Sequence, residues 1–256
     1  MLGHIFTIAK NTFRETMRDR ILLAALTVVI IIIGFSMYIG LISIDQDIRM
    51  VVDFSLTAIY ILQIFVAIFI GSMLMYKEVE RKTFFLIIPK PIKIESIIIG
   101  KCLGLVATTI SVTMLSTSAL FGVLLFKGGN IFFIPIIISV FFSILESSIL
   151  ILLSILFSGI TSPILSAVYT TSFFLIGHSS AIFRTFMTET TSTFKLRILE
   201  IAYYILPNLE KFNTRNDVVY EKIPTLYVFI LTIFYAICYA TIIFLLTRIN
   251  LKKKEF

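Results

Sequence analysis

Charge is what this sequence has least of. Asp, Glu, Lys and Arg together make up 14% of the residues against 58% hydrophobic, with a mean hydropathy of +1.03. That balance lies well outside the soluble globular norm of about a quarter charged residues. Cysteine is nearly absent. Cys102 and Cys238 both fall in apolar runs and read as small buried hydrophobes, not as a disulfide. Only two histidines occur, no Cys/His/Asp group has metal-ligand spacing, and no His/Asp pair stands near a serine as in a hydrolase. A phosphate-cradling Gly-x4-Gly-Lys-Ser/Thr loop is missing too. In the nearest text, Gly100-Lys101-Cys102, Glu95 takes the place of the first glycine and cysteine that of the hydroxyl. No catalytic residue, cofactor or metal is therefore expected on this chain. No internal repeat is evident. The first apolar run follows a charged 20-residue segment and is too long for a signal-peptide core.

What the sequence has instead is length of hydrophobic run. Ile21–Ile44, Phe54–Tyr76, Cys102–Phe126 and Ile223–Thr247 are each 23 to 25 residues without a charge. Roughly 20 apolar residues in an α-helix cross a ~30 Å hydrocarbon core. A fifth stretch, Gly128–Phe183, holds 56 residues and one carboxylate, Glu146. It divides at Ser158-Gly159-Ile160-Thr161-Ser162-Pro163, where a helix stops and restarts. Such uninterrupted runs suit helices, which satisfy their own backbone in lipid, and not the alternating segments of a barrel. The expectation is an all-α polytopic protein with six spans, at about 21–44, 54–76, 97–126, 131–157, 163–183 and 224–247. They are flanked by a 1–20 amphipathic segment, a 77–96 loop, a 184–222 loop and a basic 248–256 tail.

Fourteen of the 22 Lys and Arg residues lie before span 1, between spans 2 and 3, and after span 6. The positive-inside rule puts those segments and both termini in the cytoplasm, as for a multi-pass cell-membrane protein. The net charge of +7 then reports topology and contact with anionic headgroups, and implies no nucleic acid.

In the first segment Leu2, Ile5, Phe6, Ala9, Phe13 and Met17 recur at helical spacing beside a basic row of Lys10, Arg14 and Arg18. This predicts an amphipathic helix in the membrane interface, an anchor for span 1 with Glu15 and Asp19 open to a partner. In the 77–96 loop, Glu78 with Arg81 and Lys82 makes favourable i,i+3 and i,i+4 pairs, so a short helix extends beyond the bilayer. Phe84–Ile88 continues it with an apolar face, and Pro89 and Pro91 end it. A rigid charged helix with an apolar end suits docking in a partner's groove, or is simply a solvated loop.

Glu78-x-Glu80-Arg81-x-Thr83, a Pro-containing turn and Gly100-Lys101 together resemble the signature of ABC-2 type transporter permeases. The six-span branch with nitrous-oxide-reductase maturation and exporter permeases is the most similar. The likeness includes Arg14-Glu15-x-x-Arg18-Asp19-Arg20 as an elbow helix, and Leu206-Pro207-Asn208-Leu209 with Phe212-Asn213. It implies a permease subunit, working as a homodimer or with a second permease and exporting its substrate. Two copies of a separate ATPase subunit would drive it, contacted by a coupling helix. Glu78, Glu80, Arg81 and Thr83 would carry that contact, with Pro89, Gly100 and Lys101 shaping it.

Glu146 is the one acidic residue deep in the apolar region, where an ionised carboxylate costs on the order of 3 kcal/mol or more. Ser143, Ser147, Ser148 and Ser154 give its helix a polar side. It reads as a translocation-path or dimer-interface residue, or as a neutral glutamate satisfied by hydroxyls. His178 would pair with it only if packing cancels their difference in depth. An ion-coupled carrier centred on Glu146 and a non-transporting scaffold are the rival functions. In the 184–222 loop, Phe194, Ile198, Ile201 and Ile205 mark a further helix, ended by Pro207-Asn208, that lies on or dips into the outer interface.

Overall fold

The structure is a computed structural model that describes residues 2–42, 46–74, 94–179, 197 and 207–252. Among these residues it is all-helical. Five helices are long and apolar enough to cross a membrane. Helix α1 (Leu2–Met17) is followed by α2 (Arg20–Ile42) and α3 (Asp47–Phe65). A π-helical turn, Val66–Ile70, carries α3 on to Leu74, so that Asp47–Leu74 forms one 28-residue rod. Next come α4 (Ile94–Lys127), a 3-10 turn at Asn130–Phe132 and α5 (Phe133–Ser158). The chain turns at 159–162 and enters α6 (Pro163–His178) with proline at its first position, where a missing N–H costs no helical bond. After Pro207 a 3-10 turn (Leu209–Phe212), the short α7 (Arg215–Val219) and α8 (Leu226–Lys252) complete the described chain.

Ion pairs mark the two ends of the bundle. At one end Glu95 at the start of α4 meets Arg248 near the end of α8 at 2.7 Å. At the other, Asp47 meets Lys127 at 3.7 Å and Arg49 meets Glu221 at 3.8 Å. These contacts explain why α3 begins at Asp47, seven residues before its uncharged stretch. Its first turn carries charges that find partners at the bundle end. Leu22, Val52, Ile98, Leu105, Leu120, Ile136, Leu150 and Ile155 are among the fully buried core residues.

Polar groups join the helices where lipid offers no alternative partner. Ser158 donates to the Ser72 carbonyl at 2.8 Å, and Ser166 donates to the Ser154 carbonyl at 3.0 Å while its Oγ lies 3.1 Å from Ser72 Oγ. The side chain of Gln63 donates to Thr113 at 3.0 Å. A Cβ on Gly71 would collide with Ser154 Oγ, so this glycine lets α3 lie directly on α5.

Helix α6 has 16 residues, a rise of about 24 Å, which is short of a full crossing. Beyond it, the expected helix with Phe194, Ile198, Ile201 and Ile205 lies outside the described residues. The part that follows is not a surface loop. Leu209, Phe212 and Val218 are buried in the core, and α7 packs on α3 and α5.

Candidate functional site

The predicted site residues fall in three places. Glu78, Glu80, Arg81, Thr83 and Pro89 lie outside the described residues. Arg14 and Glu15 are on α1, with Arg18 in the turn just after it, and Gly100 and Lys101 are on the first turns of α4; the fold packs these two helices together. Glu146 lies apart from them, in the middle of α5.

Where α1 crosses α4, the backbones nearly touch. A Cβ on Gly100 would stand 2.8 Å from Ile8 Cβ, and one on Gly104 would stand 2.6 Å from Thr12 Cβ and 2.7 Å from the Ala9 carbonyl oxygen. The face that docks is therefore Ile5, Ile8, Ala9, Thr12 and Thr16, with Thr12 and Thr16 buried. This docking face only partly coincides with the stripe expected from spacing. Phe6, assigned to it, is 70% exposed, while two threonines sit at the contact because a small residue permits close approach. The Gly100-x3-Gly104 pair was a readable signal for this crossing, since small residues four apart mark a close helix contact. Lys101, beside it, is buried and extends its Nζ to within 3.5 Å of the Leu74 carbonyl. The end of α3, the start of α4 and the whole of α1 thus form one packed unit at the Glu95–Arg248 end. The basic residues Lys10, Arg14 and Arg18 and the acidic Glu15 point away from that contact; Lys10, Arg14 and Glu15 are exposed.

The second site is a polar cluster inside the bundle. Tyr60 and Glu146 are each the fourteenth residue of their helical rods, so they meet midway along α3 and α5. Tyr60 donates its hydroxyl hydrogen to Glu146 Oε1 at 2.6 Å. His178, the last residue of α6, places Nε2 2.8 Å from the same Oε1 and 2.8 Å from the Tyr60 oxygen. The packing thus cancels the difference in depth between Glu146 and His178. On the opposite side of the ring, His178 Nδ1 lies 2.9 Å from Glu210 Oε2. Asn213 donates to Glu210 Oε1 at 3.0 Å, and Arg215 donates from Nε to Asn213 at 3.1 Å. The Arg215 guanidinium stacks 3.7 Å from the centre of the Tyr60 ring.

Exposure rises along the cluster, from 1% for the side chain of Glu146 to 19% for His178 and 47% for Glu210. The second oxygen of Glu146, Oε2, is buried and has no hydrogen-bond partner among the described residues. All compensation for this carboxyl therefore comes through Oε1. The neighbouring serines Ser143, Ser147 and Ser148 do not supply it, because each bonds a carbonyl of its own helix. Sequence reasoning missed Tyr60, Glu210 and Arg215. No local signal marks them, because they come from a different helix and from the segment after α6. Among the described residues no group of acids, histidines and cysteines is arranged to hold a metal ion.

A scan against protein-family models finds no match to this chain, and no curated protein matches it either. Any functional assignment therefore rests on the residues and their geometry.

Proposed function

We propose that this chain is the membrane-spanning permease subunit of an ATP-binding-cassette transporter, exporting its substrate and driven by a separate ATPase subunit. In this reading there are six crossings. Helix α6, together with the chain that follows it, supplies the sixth, and both termini and the 77–96 loop face the cytoplasm. Helix α1 is the elbow, the 77–88 segment is the coupling helix, and two permease subunits pair in the cell membrane with an ATPase docked on each.

One observation carries the reading. The elements on both sides of the 75–93 segment, the end of α3 and the start of α4, are bound into one unit with α1 through Lys101, Gly100 and Gly104. A push on the loop between them would be delivered to α1 and, through the 34-residue α4, to the far end of the bundle. Close packing of that kind transmits displacement because packed interfaces do not deform smoothly. The Glu78, Glu80, Arg81 and Thr83 pattern supplies the docking chemistry by resemblance.

The test is co-purification with candidate ATPase subunits, followed by vanadate-sensitive ATP turnover in liposomes. The triple variant Glu78→Lys, Glu80→Lys, Arg81→Glu should insert and fold yet lose stimulated turnover. Turnover unchanged in that variant would refute the docking role.

The buried Glu146–His178 contact favours a second reading, an ion-coupled carrier centred on Glu146. It predicts proton-linked flux that needs no nucleotide and that Glu146→Gln abolishes.

A further inference from the structure

The hydrogen count of the polar cluster does not close with ordinary protonation states. Three heavy atoms, Tyr60 Oη, His178 Nε2 and Glu146 Oε1, form a triangle with sides of 2.6, 2.8 and 2.8 Å. Each contact is too short for two facing lone pairs. The triangle therefore needs the tyrosine hydrogen and a hydrogen on Nε2. A neutral imidazole has only one N–H, so its Nδ1 would then present a lone pair to Glu210 Oε2 at 2.9 Å. The other tautomer moves the same conflict to Glu146. With both carboxyls ionised and the imidazole neutral, one of the two contacts is always repulsive. One further proton resolves it, as imidazolium between two carboxylates or as a protonated carboxyl donating to nitrogen. Arg215, over the Tyr60 ring, brings the charge of the imidazolium form to zero.

The same proton has a mechanical consequence. Glu210 is on the 207–219 segment, whereas His178 and Glu146 are on α6 and α5. Among the described residues, the charged or titratable neighbours around His178 are Tyr60 from α3, Glu146 from α5, Glu210 from the 3-10 turn and Arg215 from α7. Two of these four come from the inserted segment. Its other attachments include the buried side chains of Leu209, Phe212 and Val218, with Leu209 against Gly177 where a Cβ would stand 2.7 Å from Leu209 Cγ, the packing of α7 on α3 and α5, and a 2.7 Å bond from the Asn208 N–H to the Tyr235 hydroxyl. Removing the proton turns the Glu210–His178 contact from attraction to repulsion at the centre of this attachment.

We propose that Glu146, His178 and Glu210 form a one-proton binding site, reached from solvent through Glu210, whose proton latches the 207–219 segment into the helix bundle. The site does not depend on which protein energises transport, and it is tested on this chain alone. Acid holds the segment in place; alkali releases it. A proton that serves as a latch need not cross the membrane, which separates this site from the carrier reading.

The sequence contains no tryptophan, so Phe212→Trp places a single fluorescent reporter in the segment, next to Tyr235. The full-length reporter chain in nanodiscs is titrated from acid to alkaline pH while emission maximum and acrylamide quenching are recorded. The expected result is one transition, from buried to quenchable emission, in which the ratio of released to docked forms changes about tenfold per pH unit, the slope of a single proton. The decisive variant is Glu210→Gln. Its amide donates to Nδ1 and its carbonyl still accepts from Asn213, so a neutral imidazole satisfies every contact. This variant should remain docked across the whole titration, whereas Glu210→Ala should be quenchable throughout. A transition shared unchanged by Glu210→Gln, or no transition in the reporter chain while it stays monodisperse, would overturn the proposal. A Glu210→Ala chain that stays docked at every pH would do the same.

Discussion

Replacing Gly104 by alanine should loosen α1 from the bundle, and the size of the effect follows from the contact. The added Cβ would lie 2.6 Å from Thr12 Cβ and 2.7 Å from the Ala9 carbonyl oxygen. Carbon atoms rest at about 3.5 Å or more, so the overlap is about 0.9 Å. No rotamer relieves it, because one partner is backbone and the other is fixed to it. Helix α1 must lift by nearly that amount, and a gap of that size forfeits a quarter to a half of each dispersion contact along the Ile5, Ile8, Thr12 and Thr16 face. Overpacking of this kind costs about 1–3 kcal/mol. Against it stands a gain of about 1 kcal/mol from replacing glycine within a helix. Gly122→Ala separates the two terms, because it makes the same chemical change on the same helix with nothing within 4 Å of the new methyl. The difference between the variants should therefore be about 1–3 kcal/mol, a five- to 150-fold shift in the docked population. The assay is a spin-label distance measurement between Lys10 on α1 and Ser118 on α4 in nanodiscs. A thermal midpoint is recorded for each variant. Gly104→Ala should broaden the distance distribution and lower the midpoint, and Gly122→Ala should do neither. Identical behaviour of the two would refute the close approach as the determinant of docking.

Substitutions at two further positions probe the rest of the bundle. Glu146→Leu leaves the Tyr60 hydroxyl and His178 Nε2 without their shared acceptor and should destabilise by about 1–3 kcal/mol. Glu146→Gln, which keeps an acceptor, should cost less, and comparative thermal unfolding in nanodiscs reads the order. Arg248→Gln removes the 2.7 Å pair with Glu95 at a partly exposed end of the bundle. It should cost under about 1 kcal/mol, with the difference from the unmodified chain shrinking as salt is raised.

Much of the architecture was legible in the sequence because bilayer geometry leaves few options. The uncharged runs announced helices, and the Ser158–Pro163 cluster announced a break that the chain makes at 159–162. The start of α3 at Asp47 was not legible, since it depends on Lys127 and Glu221 being nearby to receive Asp47 and Arg49. Glu146 stood out as a carboxylate in an apolar run. His178, 32 residues away, was legible only as a conditional partner, and Tyr60 and Glu210 were not, because one lies 86 residues away on another helix and the other enters from beyond the end of α6.

The sequence by itself determined that the chain is built of long apolar helices and that the longest apolar run is interrupted at 159–162. Backbone polar groups in lipid must be satisfied within each segment, so the local text suffices for those properties. Tertiary structure alone decided which faces meet. Core-facing and lipid-facing positions are equally apolar in such a helix, and hydropathy therefore does not distinguish the buried Ile243 from the exposed Ile242 of α8. Close approach at Gly71, Gly100 and Gly104, and the convergence of Tyr60, Glu146, His178 and Glu210, decided the packing and with it the candidate site.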